Sequence, residues 1–470
     1  MKLKRKSFIF IGLLIILWAV ILSRWAGFAK NHSFTLDETL YVQLGLQLNS
    51  DPSNYSTQTV YEHCAKNGQF LPDYLNKPLF KHPPLFSYLI SLFNRLFGPS
   101  YSSAFFVSLA SGLVIIIMTY CAGAFLFNRY TGLLAALLVA LDPIHWMCSQ
   151  KIWMETTYAA FFWISLVFLI KAIFDGGSKY FIWAGVSTGL AILTKYPAFL
   201  IFPVGFTCTL FYNKKLFKLA YFWLWPLISF VLFVPWIVWN GRVYKAGFLA
   251  EMVSIKGSAK GNFYQIFSVW SLIIAAGAII AFFIYNGYLK KYRVKPFNPR
   301  RAVYIIIAAG LILLFSRSYM TKGLVNMLNI NYVPPCGWEI GMFAREPWYF
   351  YLRRLIELSP FYMISILGLF LLPAAKSKAS FLYITAFWIM FTAICQGNFQ
   401  SRYILTVVPA LMIISANVII RLIEVRRRFV GKGWLGPAYA AALTLVLAYC
   451  FLKVLFVDSA IAWVNSVCYF

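Results

Sequence analysis

Residues 1–26 read MKLKRKSFIFIGLLIILWAVILSRWA. A helix needs about 20 apolar residues to cross the hydrocarbon core of a bilayer. The run after Lys6 reaches that length, and four of its first six flanking residues are Lys or Arg. It is long for the apolar part of a leader, and no small-residue cleavage site follows it. It reads as an uncleaved signal anchor with its N-terminus inside.

The composition agrees with this reading. Of 470 residues, 61% are hydrophobic, 19% are aromatic and only 12% are charged. A soluble domain carries about 25% charged residues, so this chain lacks the polar surface to cover a globule in water. The aromatic excess suits belts at two membrane interfaces. The net charge of +28 does not mark a nucleic-acid binder, because the basic residues fall in short clusters between apolar runs. It does suit anionic headgroups or a phosphate-bearing substrate. Eight Cys show no metal-like spacing. Cys121, Cys208 and Cys450 read as small hydrophobes. Cys64 and Cys336 fall in outer loops, and spacing does not say whether they pair.

After the first span comes a polar stretch, 27–82, and then PPLFSYLISLFNRLFG at 83–98. The latter is short and broken by Asn94 and Arg95, which predicts an interfacial amphipathic helix. Residues 27–98 are therefore expected to form a first outer loop with surface helices. Further spans are expected at 103–127, 132–144, 154–174, 180–193, 198–212, 220–239, 263–285, 302–315, 355–372, 381–395, 403–420 and 434–456, about thirteen in all. With the N-terminus inside, Lys214, Lys215 and Lys218, the cluster from Lys290 to Arg301, Lys376, Lys378 and Arg426 to Arg428 all fall in cytoplasmic loops. That is the bias the positive-inside rule asks for. The expected class is an all-α integral membrane bundle forming a single domain over 1–470. No C-terminal soluble domain is expected.

Only fourteen residues are acidic, so each one carries information. Asp37 and Glu38 stand just outside the first span in FTLDETLYVQLGLQL, 34–48. Thr35 followed three residues later by Glu38 has capping-box spacing, and two acids that merely start a helix explain the pair without chemistry. Glu155 opens another span in QKIWMETTYAAFFW. An acid at a helix N-terminus is favourable in its own right, yet an ionisable group at the edge of a span is costly unless paired or functional. All three acids fall at one depth on one side. Basic residues fall at the same level: Lys81 and His82 before Pro83-Pro84, Lys195 in GLAILTKYPAFL, Arg345 in AREPWYFYLRR with Arg353 and Arg354 beyond, and Arg402 with Tyr403 in NFQSRYILTVVPAL. Each alone reads as a cation snorkelling to headgroups. Together with the carboxylates they outline a cavity for a phosphate and a sugar. With four His and no paired spacing, neither a metal nor another cofactor is expected.

In their order the motifs resemble those of the GT-C superfamily, in the branch of protein O-mannosyltransferases and the lipid A aminoarabinose transferase. They are Asp37-Glu38 after the first span, His82-Pro83-Pro84-Leu85 before an amphipathic helix ending Leu96-Phe97-Gly98, Met154-Glu155-Thr156, Leu193-Thr194-Lys195, Pro235-Trp236, Arg345 to Tyr351 and Arg402-Tyr403. The likeness runs over about 1–250 and 343–425. Tyr196 and His82 depart from it, standing where relatives carry Gly and Lys, and 263–342 looks like additional spans and an outer loop.

The resemblance implies a membrane glycosyltransferase, a hexosyl- or pentosyltransferase. It would move a sugar from a polyprenyl-phosphate carrier to a lipid, glycan or protein hydroxyl at the outer face, in a bacterial inner or cell membrane. Asp37 is then the base, with Glu38 and Glu155 completing the acidic set. Lys81, His82, Lys195, Arg345, Arg402 and Tyr403 hold the donor phosphate, and a single displacement inverts the sugar carbon. The competing class is a lipid-linked sugar flippase or another polytopic transporter. Transporters place ionisable groups near the midplane between related halves, whereas these acids cluster at one end and no halves are visible.

Overall fold

The structure, a computed structural model, describes residues 2–30, 34–66, 73–248, 314–330, 349–371, 378–395, 400–426 and 435–467, with 312 and 332. Among these, the regular elements are helical. In chain order they are α1 (Lys2–Lys30), α2 (Leu36–Ser50), α3 (Thr57–Lys66), α4 (Leu85–Phe97), α5 (Tyr101–Leu126), α6 (Arg129–Ala140), α7 (Pro143–Gln150), α8 (Met154–Phe174) and α9 (Ser178–Thr194). Then follow α10 (Ile201–Tyr212), α11 (Ala220–Tyr244), α12 (Ser318–Leu328), α13 (Phe350–Leu358), α14 (Phe361–Leu371), α15 (Ala379–Cys395), α16 (Val408–Arg426) and α17 (Leu435–Val467).

Among the described residues, six helices are long and apolar enough to cross a membrane: Ser7–Lys30, Tyr101–Leu126, Met154–Phe174, Ala220–Gly247, Ser401–Val425 and Gly436–Ser459. A bent pair, α6 with α7, makes a seventh, its two halves set at 60°. The expected spans at 180–193, 198–212 and 381–395 are apolar helices of 17, 12 and 17 residues. The expected spans at 263–285 and 302–315 lie wholly or mostly outside the described residues.

Three boundaries differ from the sequence reading. The stretch 355–372 is not one helix: α13 ends at Leu358 and α14 starts at Phe361, because Pro360 lacks the N–H that a continuous helix needs. The last helix runs on past 456 to Val467. The 132–144 span breaks at Leu141–Asp142. There Asp142 caps α7, accepting from the N–H groups of Ile144 and His145, with Pro143 in the first turn. Arg24 of α1, fully buried, donates to the Ala140 carbonyl at 2.6 Å and to Ser149 Oγ at 3.1 Å across the break. It thereby satisfies a helix-end carbonyl that has no partner inside its own helix.

Lipid is no more polar than Leu, so helices in a bilayer associate through close packing and interhelical hydrogen bonds. Helices α8, α9 and α11 show both. Ser165 and Thr188 share a hydrogen bond of 2.7 Å, and Trp225 Nε1 donates to Thr188 Oγ1 at 3.0 Å. Between α5 and α6, a Cβ on Gly123 would stand 2.9 Å from the Gly132 Cα. The outward faces are apolar. They include Phe10, Ile15 and Trp18 on α1, Leu227 and Val231 on α11, and Leu445 and Leu452 on α17. Such faces are stable against lipid rather than water, and the chain is an integral membrane protein.

At one end of the bundle α2, α3 and α4 form a layer over the spans. Thr35 caps α2 in a complete capping box with Glu38. α4 buries Phe86, Ile90 and Asn94 on one side and exposes Leu92, Leu96 and Phe97 on the other, the pattern of a helix lying at an interface. α2 and α4 approach closely at Gly45, where a Cβ would fall 2.3 Å from Ile90 Cγ2.

Candidate functional site

Five separate segments deliver side chains to one cavity at this end. Asp37 comes from the first turn of α2 and Glu155 from the first turn of α8. Lys195 is the C-cap of α9. Arg402 and Tyr403 lie in the 3-10 turn Ser401–Val407 that leads into α16. Lys81 and His82 lie in the loop before α4. That loop is pinned from both sides. Tyr244 at the end of α11 donates to the Leu79 carbonyl at 2.8 Å and accepts from the Leu79 N–H at 3.1 Å. Tyr55 donates to the His82 carbonyl at 3.2 Å.

The charges form a chain. Arg402 Nη2 donates to Asp37 Oδ2 at 2.7 Å, and its Nε stands 3.6 Å from Glu155 Oε1. Gln400 Oε1 accepts from the same Nε at 2.6 Å. Lys195 Nζ donates to Glu155 Oε1 at 2.7 Å. The Arg402 guanidinium lies over the Trp153 ring at 4.5 Å and the Lys195 ammonium over the Tyr403 ring at 4.3 Å. Glu155 is thus a buried acid with two cations, which is how a low-dielectric site tolerates it. Asp37 differs, since 41% of its side chain remains open while the Arg402 side chain is only 12% exposed.

The cavity has a volume of 290 Å³, and Asp37, Tyr41, Lys81, His82, Lys195, Arg402 and Tyr403 line it. A void of only about 20 Å³ shares Glu155, Lys195, Arg402 and Tyr403 with this cavity and is otherwise lined mainly by apolar residues, among them Leu200, Ile389, Ala393 and Leu405.

Environment sets the protonation of three groups. Desolvation lowers the Lys81 ammonium from its ordinary value, while Asp37 draws it back up. Burial, with the adjacent Lys81 and Lys195 charges, holds the His82 imidazole well below its usual range. His82 therefore lines the cavity as a neutral ring. Burial, Asp37 and Glu155 push the Tyr41 phenol well above its usual range, so it stays a neutral hydroxyl. Among the described residues the count is Lys81, Lys195 and Arg402 against Asp37 and Glu155, a surplus of one positive charge.

Not every singled-out residue faces the cavity. Glu38 is 1% exposed and does not line it. Its Oε2 accepts from the N–H and hydroxyl of Thr35 and stands 3.5 Å from Lys151 Nζ, and its Oε1 accepts from the Ile152 N–H at 3.0 Å. Arg353 and Arg354 turn instead to Glu357, at 3.1 and 3.0 Å. Arg345 and Cys336 lie outside the described residues, and Cys64 is a buried free thiol. Sequence reasoning missed Tyr41, Lys151, Trp153 and Gln400. Lys151 carried a signal, a lone cation between two apolar helices. Tyr41 and Gln400 carried none, because their roles depend on partners distant in the chain.

Comparison with known proteins narrows the class. Residues 81–239 match the family model of dolichyl-phosphate-mannose-protein mannosyltransferase. An uncharacterized protein of Aquifex aeolicus (strain VF5) is 28% identical over 206 residues, 42% of this chain and 41% of that protein. The chain thus matches about two fifths of that curated relative's length. Among solved structures, apo ArnT from Cupriavidus metallidurans superposes with a TM-score of 0.57 at 15% identity, covering 98% of this chain and 76% of ArnT. ArnT bound to undecaprenyl phosphate gives 0.56 at 14%, covering 97% and 76%. Archaeal oligosaccharyltransferase AglB from Archaeoglobus fulgidus, in complex with an inhibitory peptide and a dolichol-phosphate, gives 0.55 at 14%, covering 97% and 56%. In fold the chain is similar to ArnT and AglB, and residues 81–239 are similar to the mannosyltransferase family model.

Proposed function

We propose that the protein transfers a sugar from a polyprenyl-phosphate carrier to an acceptor hydroxyl at the outer face of the membrane. The observation that carries this reading is the convergence of Lys81, Lys195 and Arg402 on one cavity with the partly open Asp37 carboxylate. A lipid-linked sugar needs an apolar approach for its tail, cations for its phosphate and an aqueous approach for the acceptor. The cavity supplies the cations and the open Asp37 carboxylate, and the apolar outward faces of the spans suit the tail.

In the reaction, Asp37 accepts the proton of the acceptor hydroxyl as that oxygen attacks the anomeric carbon. The bond from that carbon to the phosphate oxygen breaks, and the electron pair leaves on the lipid phosphate. A phosphate is a good leaving group and requires no general acid. Lys81, Lys195 and Arg402 meet the growing negative charge, and the surplus positive charge of the site matches it. Attack opposite the leaving phosphate in one displacement inverts the sugar carbon. The outer-face assignment rests on the basic loops: with Lys214, Lys215, Lys218 and Arg426 inside, the acidic end of the bundle faces out.

The test is transfer by purified protein in nanodiscs. It is offered a panel of radiolabelled polyprenyl-phosphate sugars with total membrane extract as acceptor, and wild type is compared with Asp37→Asn. Label should pass from carrier to product with wild type and not with the variant, and the anomeric configuration of the product should be inverted. Label that stays on the carrier across the whole panel refutes the transferase reading, and near-normal transfer by Asp37→Asn removes Asp37 as the base.

A further inference from the structure

The three residues between α7 and α8, Lys151, Ile152 and Trp153, touch the start of α2 at three points. The Ile152 N–H donates to Glu38 Oε1 at 3.0 Å, Lys151 Nζ stands 3.5 Å from Glu38 Oε2, and Trp153 Nε1 donates to Thr35 Oγ1 at 3.2 Å. The same Trp153 ring carries the Arg402 guanidinium at 4.5 Å, and Arg402 holds Asp37. Asp37 is therefore located twice from one short segment: through its own backbone at the α2 cap, and through the cation on its carboxylate.

Lys151 is the charged member of this dock. Both partners are almost wholly buried, Lys151 at 1% and Glu38 at 1%. An anion buried to this degree keeps its place only with a compensating charge and hydrogen bonds to its oxygens. Thr35 and Ile152 supply the hydrogen bonds, and Lys151 brings a positive charge to the carboxylate. Without it, the buried Glu38 carboxylate loses its neighbouring positive charge, and the first turn of α2 loses part of its hold on the α7–α8 junction. Asp37, next in sequence, moves with that turn.

We propose that Lys151 is a positioning residue for Asp37, acting by neutralising Glu38 so that the first turn of α2 stays docked on residues 151–153. The catalytic part of this inference rests on the transferase reading above; the docking part does not.

Two variants and two readouts test it. Lys151→Met keeps the stem and removes the charge. Lys151→Met combined with Glu38→Gln removes both charges and keeps an acceptor for one of the two N–H groups. Steady-state transfer in nanodiscs gives kcat and the donor KM. Hydrogen exchange of the peptide spanning residues 34–48, measured on the full chain, reports docking whether or not sugar is transferred. Lys151→Met should lower kcat by about tenfold to a hundredfold, the scale of an ångström-level misplacement of a reacting group. The donor KM should change by less than about threefold, because Lys151 does not line the cavity. Exchange over 34–48 should rise. The double variant should regain part of kcat and part of the protection, since no buried charge is left unpaired. Protection lost in the single variant and regained in the double, in a protein that transfers no sugar from any donor, upholds the dock and overturns only the transferase reading. Wild-type kcat and protection in Lys151→Met overturn the inference while leaving the transferase reading intact. A double variant no better than Lys151→Met in both readouts overturns charge compensation as the reason.

Discussion

Arg402→Met is the most informative single change at the site, because one guanidinium serves both carboxylates of the cavity. At an effective dielectric of about 20, unit charges 3.6 Å apart attract by roughly 4–5 kcal/mol before desolvation is counted. Truncating one partner of a buried ion pair costs about 3–5 kcal/mol net. Two features of the structure reduce that figure here. Glu155 keeps Lys195 at 2.7 Å, so it is never left alone. Asp37 has 41% of its side chain open, so water replaces much of what it loses and its share is discounted towards that of a surface pair. The expected stability loss is therefore about 1–3 kcal/mol, read as a lower unfolding midpoint in one fixed detergent. Activity should suffer more. In the proposed reaction Arg402 orients Asp37 and meets the charge developing on the leaving phosphate, and loss of one such group costs about 10²–10³ in kcat. Arg402→Lys should fall between the two, since an ammonium presents a point charge where the guanidinium forks to two acids. The assay is carrier-to-acceptor transfer in nanodiscs at saturating donor, with the unfolding midpoint of each variant measured in parallel. Transfer by Arg402→Met within about threefold of wild type would refute the assigned role.

Other changes probe separate parts of the structure. Lys195→Met leaves Glu155 with Arg402 at 3.6 Å as its remaining cation in the chain of charges; it should lower the unfolding midpoint, and the double variant with Glu155→Gln should recover much of the loss, as a double-mutant cycle can show. His82 is held below its usual range by burial and by Lys81 and Lys195. Below about pH 6.5 the unfolded chain therefore binds a proton at this residue that the folded chain does not. Stability should then fall as pH drops from 7 towards 5, and His82→Asn should flatten that part of a midpoint-against-pH curve. Gly45→Ala places a Cβ 2.3 Å from Ile90 Cγ2 and 2.9 Å from Ile90 Cβ. Forcing α2 off α4 should cost about 1–3 kcal/mol and raise hydrogen exchange over both helices.

Much of this molecule was legible without coordinates. A charged content of 12% and apolar runs of membrane-spanning length leave lipid as the only solvent in which the chain can fold. The start of α2 was equally local: Thr35 and Glu38 form the capping box that their spacing predicts, because such a cap depends on four consecutive residues. Acids and bases at span ends were conspicuous because charge is so rare in such a sequence. What the sequence could not assign was partnership. Glu38 and Asp37 are neighbours in the chain, yet one is sealed against Lys151 and the other stands open in the cavity. Successive residues of a helix point in different directions, and only the packing of α2 on the α7–α8 junction decides which of the two is buried. The same holds for Arg353 and Arg354, which stand beyond Arg345 in the sequence at the level of the site and serve Glu357, and for His82, whose charge is set by what surrounds it. Local pattern and solvent preference determined a membrane bundle with a polar end. The contacts from Asp37 to Arg402 and from Glu155 to Lys195 join residues up to 365 positions apart, and only the tertiary fold brings those together.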